Sequence, residues 1–200
     1  MQNKLYILDC KDLDSKLINK LSLVEIEKIN RIKNNEDKLL SLGAHLLIKI
    51  FTSNEEIKYK DNSRPYKDSI PFFSISHSYP YSLILLADNK VGVDIENINR
   101  INNVIKNDLF SIKEKEYIKN DEDFIKLWTI KEASYKALDL NNNFNFKEEI
   151  RIINNKCYYL NNELFYKSFH FENFYISIAS KVEFDFEYFC ISKEELNSLI

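Results

Sequence analysis

The stretch Val91-Gly92-Val93-Asp94-Ile95-Glu96 is the part of this chain that decides how its fold is interpreted. Apolar and acidic residues alternate in its second half, which is the period-two pattern of a strand. On a strand, Asp94 and Glu96 point to one side, while Val93 and Ile95 point to the other. Gly92 precedes the acids, and a glycine inside a strand often marks close approach by a ligand or another backbone. The pattern predicts a ligand-binding site on this face of the strand. The alternative is an amphipathic edge strand whose acidic side chains are solvated.

A second acid-bearing stretch is Trp128-Thr129-Ile130-Lys131-Glu132-Ala133-Ser134-Tyr135-Lys136-Ala137, which predicts a helix. Glu132 lies four residues from Trp128 and from Lys136, so the three share one helical ridge. Glu132 and Lys136 taken alone are typical of a surface ion pair. Together with the acids of the first stretch, Glu132 makes a set of oxygen ligands for a hard cation. Oxygen-only ligands near phosphate contacts favour Mg²⁺.

Three further groups of residues suit a phosphate-bearing substrate. Phe72-Phe73-Ser74-Ile75-Ser76-His77-Ser78 alternates apolar with small polar residues and ends beside a histidine. Ser63-Arg64-Pro65-Tyr66 offers an arginine, whose planar fork makes paired bonds to phosphate. Lys28, Arg31, Lys33 and Lys38 form a basic cluster. An ordinary loop histidine and a solvated basic face are the plain alternatives.

Composition and charge exclude several classes of protein. The 200 residues are 44% hydrophobic and carry a net charge of -3, which suits a folded domain and gives no reason to expect nucleic-acid binding. We expect no membrane span and no secretory signal. Cys10, Cys157 and Cys190 are far apart and form no C-x-x-C pair, so we expect three buried thiols in a reducing cytosol. P-loop, dinucleotide and zinc motifs are absent from the sequence.

The order of the predicted elements favours an α+β fold. Helices are predicted over residues 21–33, 36–51, 108–119 and 123–138, with a short capped helix after Ser192. Strands are predicted over residues 4–8, 72–76, 82–87, 91–96, 150–153, 156–160, 174–179 and 184–191. Asp88-Asn89-Lys90 suits a tight hairpin between two of these strands. The recurrence of helices followed by strands predicts two pseudo-symmetric halves, 1–100 and 101–200, with a plain α+β domain without duplication as the alternative. In each half, helices pack on a small antiparallel sheet, and the active site lies at the seam.

The acid-bearing stretches and the serine-histidine stretch, in this order and spacing, resemble the three signatures of the 4′-phosphopantetheinyl transferase superfamily. Arg64-Pro65 before them and the chain length make the resemblance one to the Sfp type. The resemblance implies an enzyme that transfers the phosphopantetheine arm of coenzyme A to a serine of an apo acyl or peptidyl carrier protein. Adenosine 3′,5′-bisphosphate is then released.

The resemblance also implies roles for single residues. Asp94, Glu96 and Glu132 would hold the Mg²⁺ that bridges the coenzyme A pyrophosphate, and Lys136 would steady that pyrophosphate. The nucleotide and its 3′-phosphate would contact Arg64, Ser76 and His77, helped by Lys28 and Ser41. Glu114 matches the glutamate proposed as general base, with Glu132 acting through a metal-bound water as the alternative. We expect a cytoplasmic monomer; a non-catalytic module that binds coenzyme A or a carrier domain is the competing hypothesis.

Overall fold

The computed structural model describes residues 2–52, 57–59, 64–99, 109–140 and 145–200. They form a mixed α+β fold, which confirms the predicted class. Two compact units are present: Met1–Asp88 with Phe186–Ile200, and Asn89–Asp185. These bounds differ from a division at residue 100, because the chain enters the second sheet at Val91 and returns to the first at Phe186. Pseudo-symmetry of the halves and a site at the seam stay predictions.

The first unit contains six strands and four helices among the residues that the structure describes. The strands are β1 (Asn3–Asp9), β2 (Lys58–Tyr59), β3 (Pro65–Tyr66), β4 (Phe72–Ser78), β5 (Tyr81–Ala87) and β11 (Phe186–Ile191). The helices are a 3-10 helix (Ser15–Lys20), α1 (Leu23–Asn30), α2 (Asn35–Phe51) and α6 (Lys193–Leu199). Four of the strands form a sheet in the order β11-β1-β5-β4, whose pairs are antiparallel except β1 with β11, which is parallel. The two short strands β2 and β3 pair with each other apart from this sheet.

Helix α2 forms the core of this unit against the sheet. Asn34 caps its first turn by accepting from the backbone N–H groups of Glu36 and Asp37. Gly43 lets the helix come close: a Cβ built there would lie 2.4 Å from Cys10 Sγ. The Ser82 hydroxyl completes the contact by donating to the Leu40 carbonyl at 2.9 Å.

The second unit contains five strands and three helices in the part of the chain that the structure describes. The strands are β6 (Val91–Asn97), β7 (Ile150–Ile153), β8 (Lys156–Tyr159), β9 (Asn162–Phe171) and β10 (Phe174–Ser180). The helices are α3 (Ile112–Lys115), α4 (Asp121–Leu138) and α5 (Phe146–Glu149). The strands form one antiparallel sheet in the order β6-β10-β9-β8-β7, and α4 packs on β6 and β10 of this sheet.

Several local predictions were wrong. The turn at Asp88-Asn89-Lys90 is not a hairpin, because β5 and β6 belong to different sheets. The helix predicted over 108–119 is reduced to α3, and residue 108 lies outside the described part. Strand β9, the longest in the described part, was not predicted at all. The capped terminal helix after Ser192 is confirmed by its reciprocal bonds with Glu195.

The prediction of three buried thiols is confirmed for two cysteines and wrong for the third. Cys10 and Cys157 are buried, whereas Cys190 is exposed on β11, at the edge of its sheet. Burial raises the pKa of both buried thiols to about 11, so they are poor nucleophiles in the native protein. Among the described residues, no helix is long and apolar enough to cross a membrane.

Candidate active site

The two acids of the opening stretch lie on β6, at the edge of the second sheet. The strand confirms that they share one face, and across the sheet Asp94 pairs with Ser177 and Glu96 with Tyr175. Asp94 is only 4% exposed. An edge strand with solvated acids is therefore the wrong interpretation, and this face of β6 holds charge away from water.

Helix α4 lies against β6 so closely that only glycine fits at position 92. A Cβ built on Gly92 would lie 1.9 Å from the Ala133 carbonyl oxygen and 2.6 Å from the Ala137 nitrogen. The close approach expected at this glycine is thus made by the backbone of α4. Thr129 and Ser177 join the same helix to β10, with 2.7 Å between their hydroxyl oxygens.

Lys136 extends from α4 to the first acid of β6. Its ammonium nitrogen lies 2.8 Å from Asp94 Oδ1 and 3.0 Å from the Val93 carbonyl oxygen. The side chains of this pair are 16% and 6% exposed, so the charges interact with little screening. The sequence separated these residues by forty-two positions, and the packing of α4 on β6 brings them into contact.

Glu96 shows that the acids of the two elements act on each other. The pKa of its carboxyl is raised to about 8, first by burial and then by the negative charges of Asp94 and Glu132. The Lys136 charge and a hydrogen bond from the Trp128 side chain act in the opposite direction. Glu132 is half-buried. Three carboxylates that repel each other in a partly buried place form a region that favours a cation.

The donor set fits a hard divalent cation in its chemistry, because carboxylate oxygens are the ligands Mg²⁺ prefers. The same side chains do not form a ready-made cage. Among the described residues, no group of three or more His, Cys, Asp or Glu side chains is arranged to hold a metal ion. The ammonium of Lys136 supplies positive charge to Asp94 instead.

Glu114 lies in a different environment from these acids. It is 0% exposed and forms a buried ion pair with Lys131, 2.8 Å between Oε1 and Nζ. Its Oε2 accepts from the Ser111 N–H at 2.7 Å and the Ser111 hydroxyl at 2.8 Å, and its Oε1 accepts from the Ile152 N–H at 2.8 Å. Both oxygens are therefore engaged inside the protein. This placement does not favour the predicted role of Glu114 as a general base.

The first unit contains a cavity of about 430 Å³ that gathers residues predicted to bind the nucleotide. Lys28, Ser41 and His77, three of the residues predicted to contact the nucleotide, line it together. The Lys28 ammonium also lies over the Tyr59 ring, 3.2 Å from its centroid. Cations and an aromatic ring around one cavity suit a ligand with phosphate groups and a flat ring.

Two predicted nucleotide contacts are not among the residues that line this cavity, namely Arg64 and Ser76. Ser76 is buried, while its neighbour His77 is exposed, because successive side chains on β4 point to opposite faces. Arg31, His45 and Tyr59 line the cavity without having been predicted to do so. Arg31 could have been found from the sequence because it belongs to the basic cluster. His45 could have been found because it lies four residues after Ser41 on α2, a spacing that places both on one face of the helix.

His170 belongs to a polar cluster with Glu122 and Tyr175. Its Nε2 lies 2.8 Å from Glu122 Oε1, and the Tyr175 hydroxyl donates to the same oxygen at 3.0 Å. These bonds hold the pKa of the Glu122 carboxyl below its usual value. The cluster ties the first turn of α4 to β9 and β10.

Comparison with known proteins points to one superfamily. Residues 90–185 match the family model described as the 4′-phosphopantetheinyl transferase superfamily. The chain is also 34% identical, over 124 residues, to the 4′-phosphopantetheinyl transferase gsp of Aneurinibacillus migulanus. That match covers 54% of this chain and 52% of the relative, so the chain spans about half the length of the curated relative it matches. The resemblance to the 4′-phosphopantetheinyl transferase superfamily is therefore confirmed for residues 90–185, the segment that carries Asp94, Glu96, Glu132 and Lys136.

Proposed function

We propose that this protein transfers the 4′-phosphopantetheine group of coenzyme A to a serine of an apo acyl or peptidyl carrier protein. The observation that carries the proposal is the buried meeting of Asp94 with Lys136, beside Glu96 and Glu132, inside the matched segment. The relative from Aneurinibacillus migulanus is named as a transferase of the same group, which supports the proposal.

The cavity of the first unit is assigned to the nucleotide end of coenzyme A. Lys28 and Arg31 supply positive charge for its phosphates, and His77 adds a second type of donor. The Tyr59 ring offers a flat apolar surface for the base. Arg64 and Ser76 are kept in the proposal as contacts outside the lining of the cavity.

The carboxylates of the second unit are assigned to the pyrophosphate through Mg²⁺, which Asp94, Glu96 and Glu132 would hold. When bound, this ion supplies the positive charge that a pyrophosphate needs to become a good leaving group. Lys136 places an ammonium at the same point and neutralises further phosphate charge.

The reaction is a displacement at phosphorus. The serine oxygen of the carrier forms a bond to the phosphorus that bears the pantetheine arm, and the bond from that phosphorus to adenosine 3′,5′-bisphosphate breaks. A serine hydroxyl is a poor nucleophile at neutral pH, so a carboxylate must take its proton. We assign this role to Glu132, which is half-buried and can be reached by a substrate hydroxyl, in preference to Glu114, which is 0% exposed. The protein is proposed to act as a cytoplasmic monomer, and its buried thiols fit a reducing compartment.

The test is a transfer reaction read as the mass of the carrier protein. The full chain is incubated with coenzyme A, Mg²⁺ and an apo carrier, in parallel with Glu132→Ala and with Glu163→Ala as the matched control. Glu163 is an exposed glutamate of the same unit, paired with Lys156. Wild type and control should add phosphopantetheine, and Glu132→Ala should not. An unchanged carrier mass with wild type across acyl and peptidyl carriers, while coenzyme A still binds, would favour the non-catalytic module.

A further inference from the structure

The buried pair of Glu114 and Lys131 uses every polar atom that its side chains possess. The Lys131 ammonium has three protons, and it donates to the Leu109 carbonyl at 3.0 Å, the Phe146 carbonyl at 3.0 Å and Glu114 Oε2 at 2.9 Å. Both side chains of the pair are 0% exposed. A charge placed so deep is tolerated only because its partners surround it.

These contacts reach four segments of the second unit at once. Lys131 belongs to α4, Glu114 to α3, Phe146 to α5, and the Ile152 N–H that donates to Glu114 to β7. The Phe146 ring adds to the hold, since it packs against Trp128 and Tyr135 of α4 with centroids 5.3 and 5.2 Å away. Lys131 thus joins α4 directly to α5 and, through Glu114, to α3 and β7.

Glu132 lies between two anchored neighbours. On one side, Ala133 rests against Gly92 of β6 with no room for a Cβ. On the other side, Lys131 is held by the buried pair. The backbone of Glu132 therefore has little freedom to rotate about the helix axis or to move away from β6.

We propose that Lys131 and Glu114 are positioning residues, which hold α4 so that Glu132 faces Asp94 and Glu96. Glu114 then serves the reaction through Lys131 and does not take the serine proton itself. This inference rests on the proposed function, in which Glu132 is both a ligand and the base.

The test compares Glu114→Gln, Lys131→Met and the double variant, all in the full chain. Lys156→Met is the control, because it removes a lysine from an exposed pair of the same unit. Three quantities are measured: Mg²⁺ affinity by calorimetry without coenzyme A, melting temperature, and the rate of transfer to an apo carrier. Mg²⁺ affinity is measured at a temperature at which each variant is folded.

Both single variants should lose at least tenfold in Mg²⁺ affinity and in transfer rate, and both should melt below wild type. The double variant removes both buried charges, so it should recover stability, Mg²⁺ affinity and at least tenfold in rate relative to the worse single variant. Lys156→Met should match wild type in all three measurements. If Lys131→Met does not fold, Glu114→Gln and the double variant carry the comparison.

Two outcomes would overturn the inference. If Glu114 is the base, Glu114→Gln keeps wild-type Mg²⁺ affinity and melting, loses about 10²–10⁴ in rate, and is not rescued in the double variant. If the pair only stabilises the fold, the variants melt early yet bind Mg²⁺ like wild type. A wild-type protein that binds Mg²⁺ but transfers nothing defeats the proposed function alone, because affinity and melting still report on the pair.

Discussion

Replacing Gly92 with alanine tests the contact on which the arrangement of the acids depends. The new Cβ would lie 1.9 Å from the Ala133 carbonyl oxygen, and real Cβ atoms essentially never come within 3.0 Å of a non-bonded heavy atom outside the neighbouring residues. Helix α4 must therefore move away from β6 by about 1.1 Å, since the obstacle is backbone and cannot rotate aside. A shift of that size carries the backbone of Lys136 away from Asp94, so its side chain must extend further to keep the 2.8 Å bond from Nζ to Oδ1, and the bond weakens.

The expected cost follows from overpacking, which typically destabilises by about 1–3 kcal/mol. We expect the upper end, about 3 kcal/mol, which lowers the melting temperature of a chain of this size by about 6–12 °C. Urea and thermal unfolding measure the stability, and the carrier-mass reaction measures the transfer.

Gly43→Ala is the matched control. Its Cβ would lie 2.4 Å from Cys10 Sγ and 3.2 Å from Ser82 Oγ, and these side-chain atoms can move aside, whereas the backbone atoms that face Gly92 cannot. The helix also gains about 1 kcal/mol when alanine replaces glycine in its interior. We expect a net change within about 1 kcal/mol and normal transfer. A Gly92→Ala protein that melts together with wild type and transfers normally would contradict the reasoning.

Three further predictions concern charge and thiols. In protein free of divalent cations, the pKa of Glu96 is about 8 when folded against an ordinary value of 4.5, so the folded state binds the extra proton. The free energy of unfolding should therefore fall as the pH rises from about 4.5 to about 8. In urea titrations across this range, Glu96→Gln should show a weaker dependence on pH than wild type. An equal dependence in the two proteins would contradict the raised pKa of Glu96. Lys136→Met leaves the nearly buried Asp94 without the ammonium of Lys136, so the free energy of unfolding should fall by about 3 kcal/mol. Millimolar Mg²⁺ should restore part of this loss, because a cation that binds the folded state stabilises it. If Mg²⁺ has no effect on urea unfolding of the variant, no cation binds at this place. Iodoacetamide should modify Cys190 in the native protein but Cys10 and Cys157 only after unfolding, as peptide masses would show; native labelling of either buried thiol would disprove their burial.

The sequence predicted the local parts of the site well, because they depend on short periods. Strand β6 and helix α4 follow from alternation and from apolar residues at helical spacing, and both are confirmed.

The rest depended on contacts between distant residues, which no local pattern contains. The partner of β6 is β10, about eighty residues later, so the turn after β5 looked like a hairpin. Glu114 and Lys131 are charged residues, which are usually exposed, and their burial arises only when they meet. Strand β9 was missed because its polar and aromatic residues resemble a surface segment.

The order of the chain through the two sheets has a consequence for synthesis. Residues 89–185 form one continuous unit, whereas the four-stranded sheet of the other unit needs β11, whose first residue is Phe186. On the ribosome, the later-made unit has all its residues available before the earlier one can place its last strand beside β1. A nascent chain stalled just before Phe186 would leave β1 with an open parallel edge, a surface on which chaperones or other chains can act.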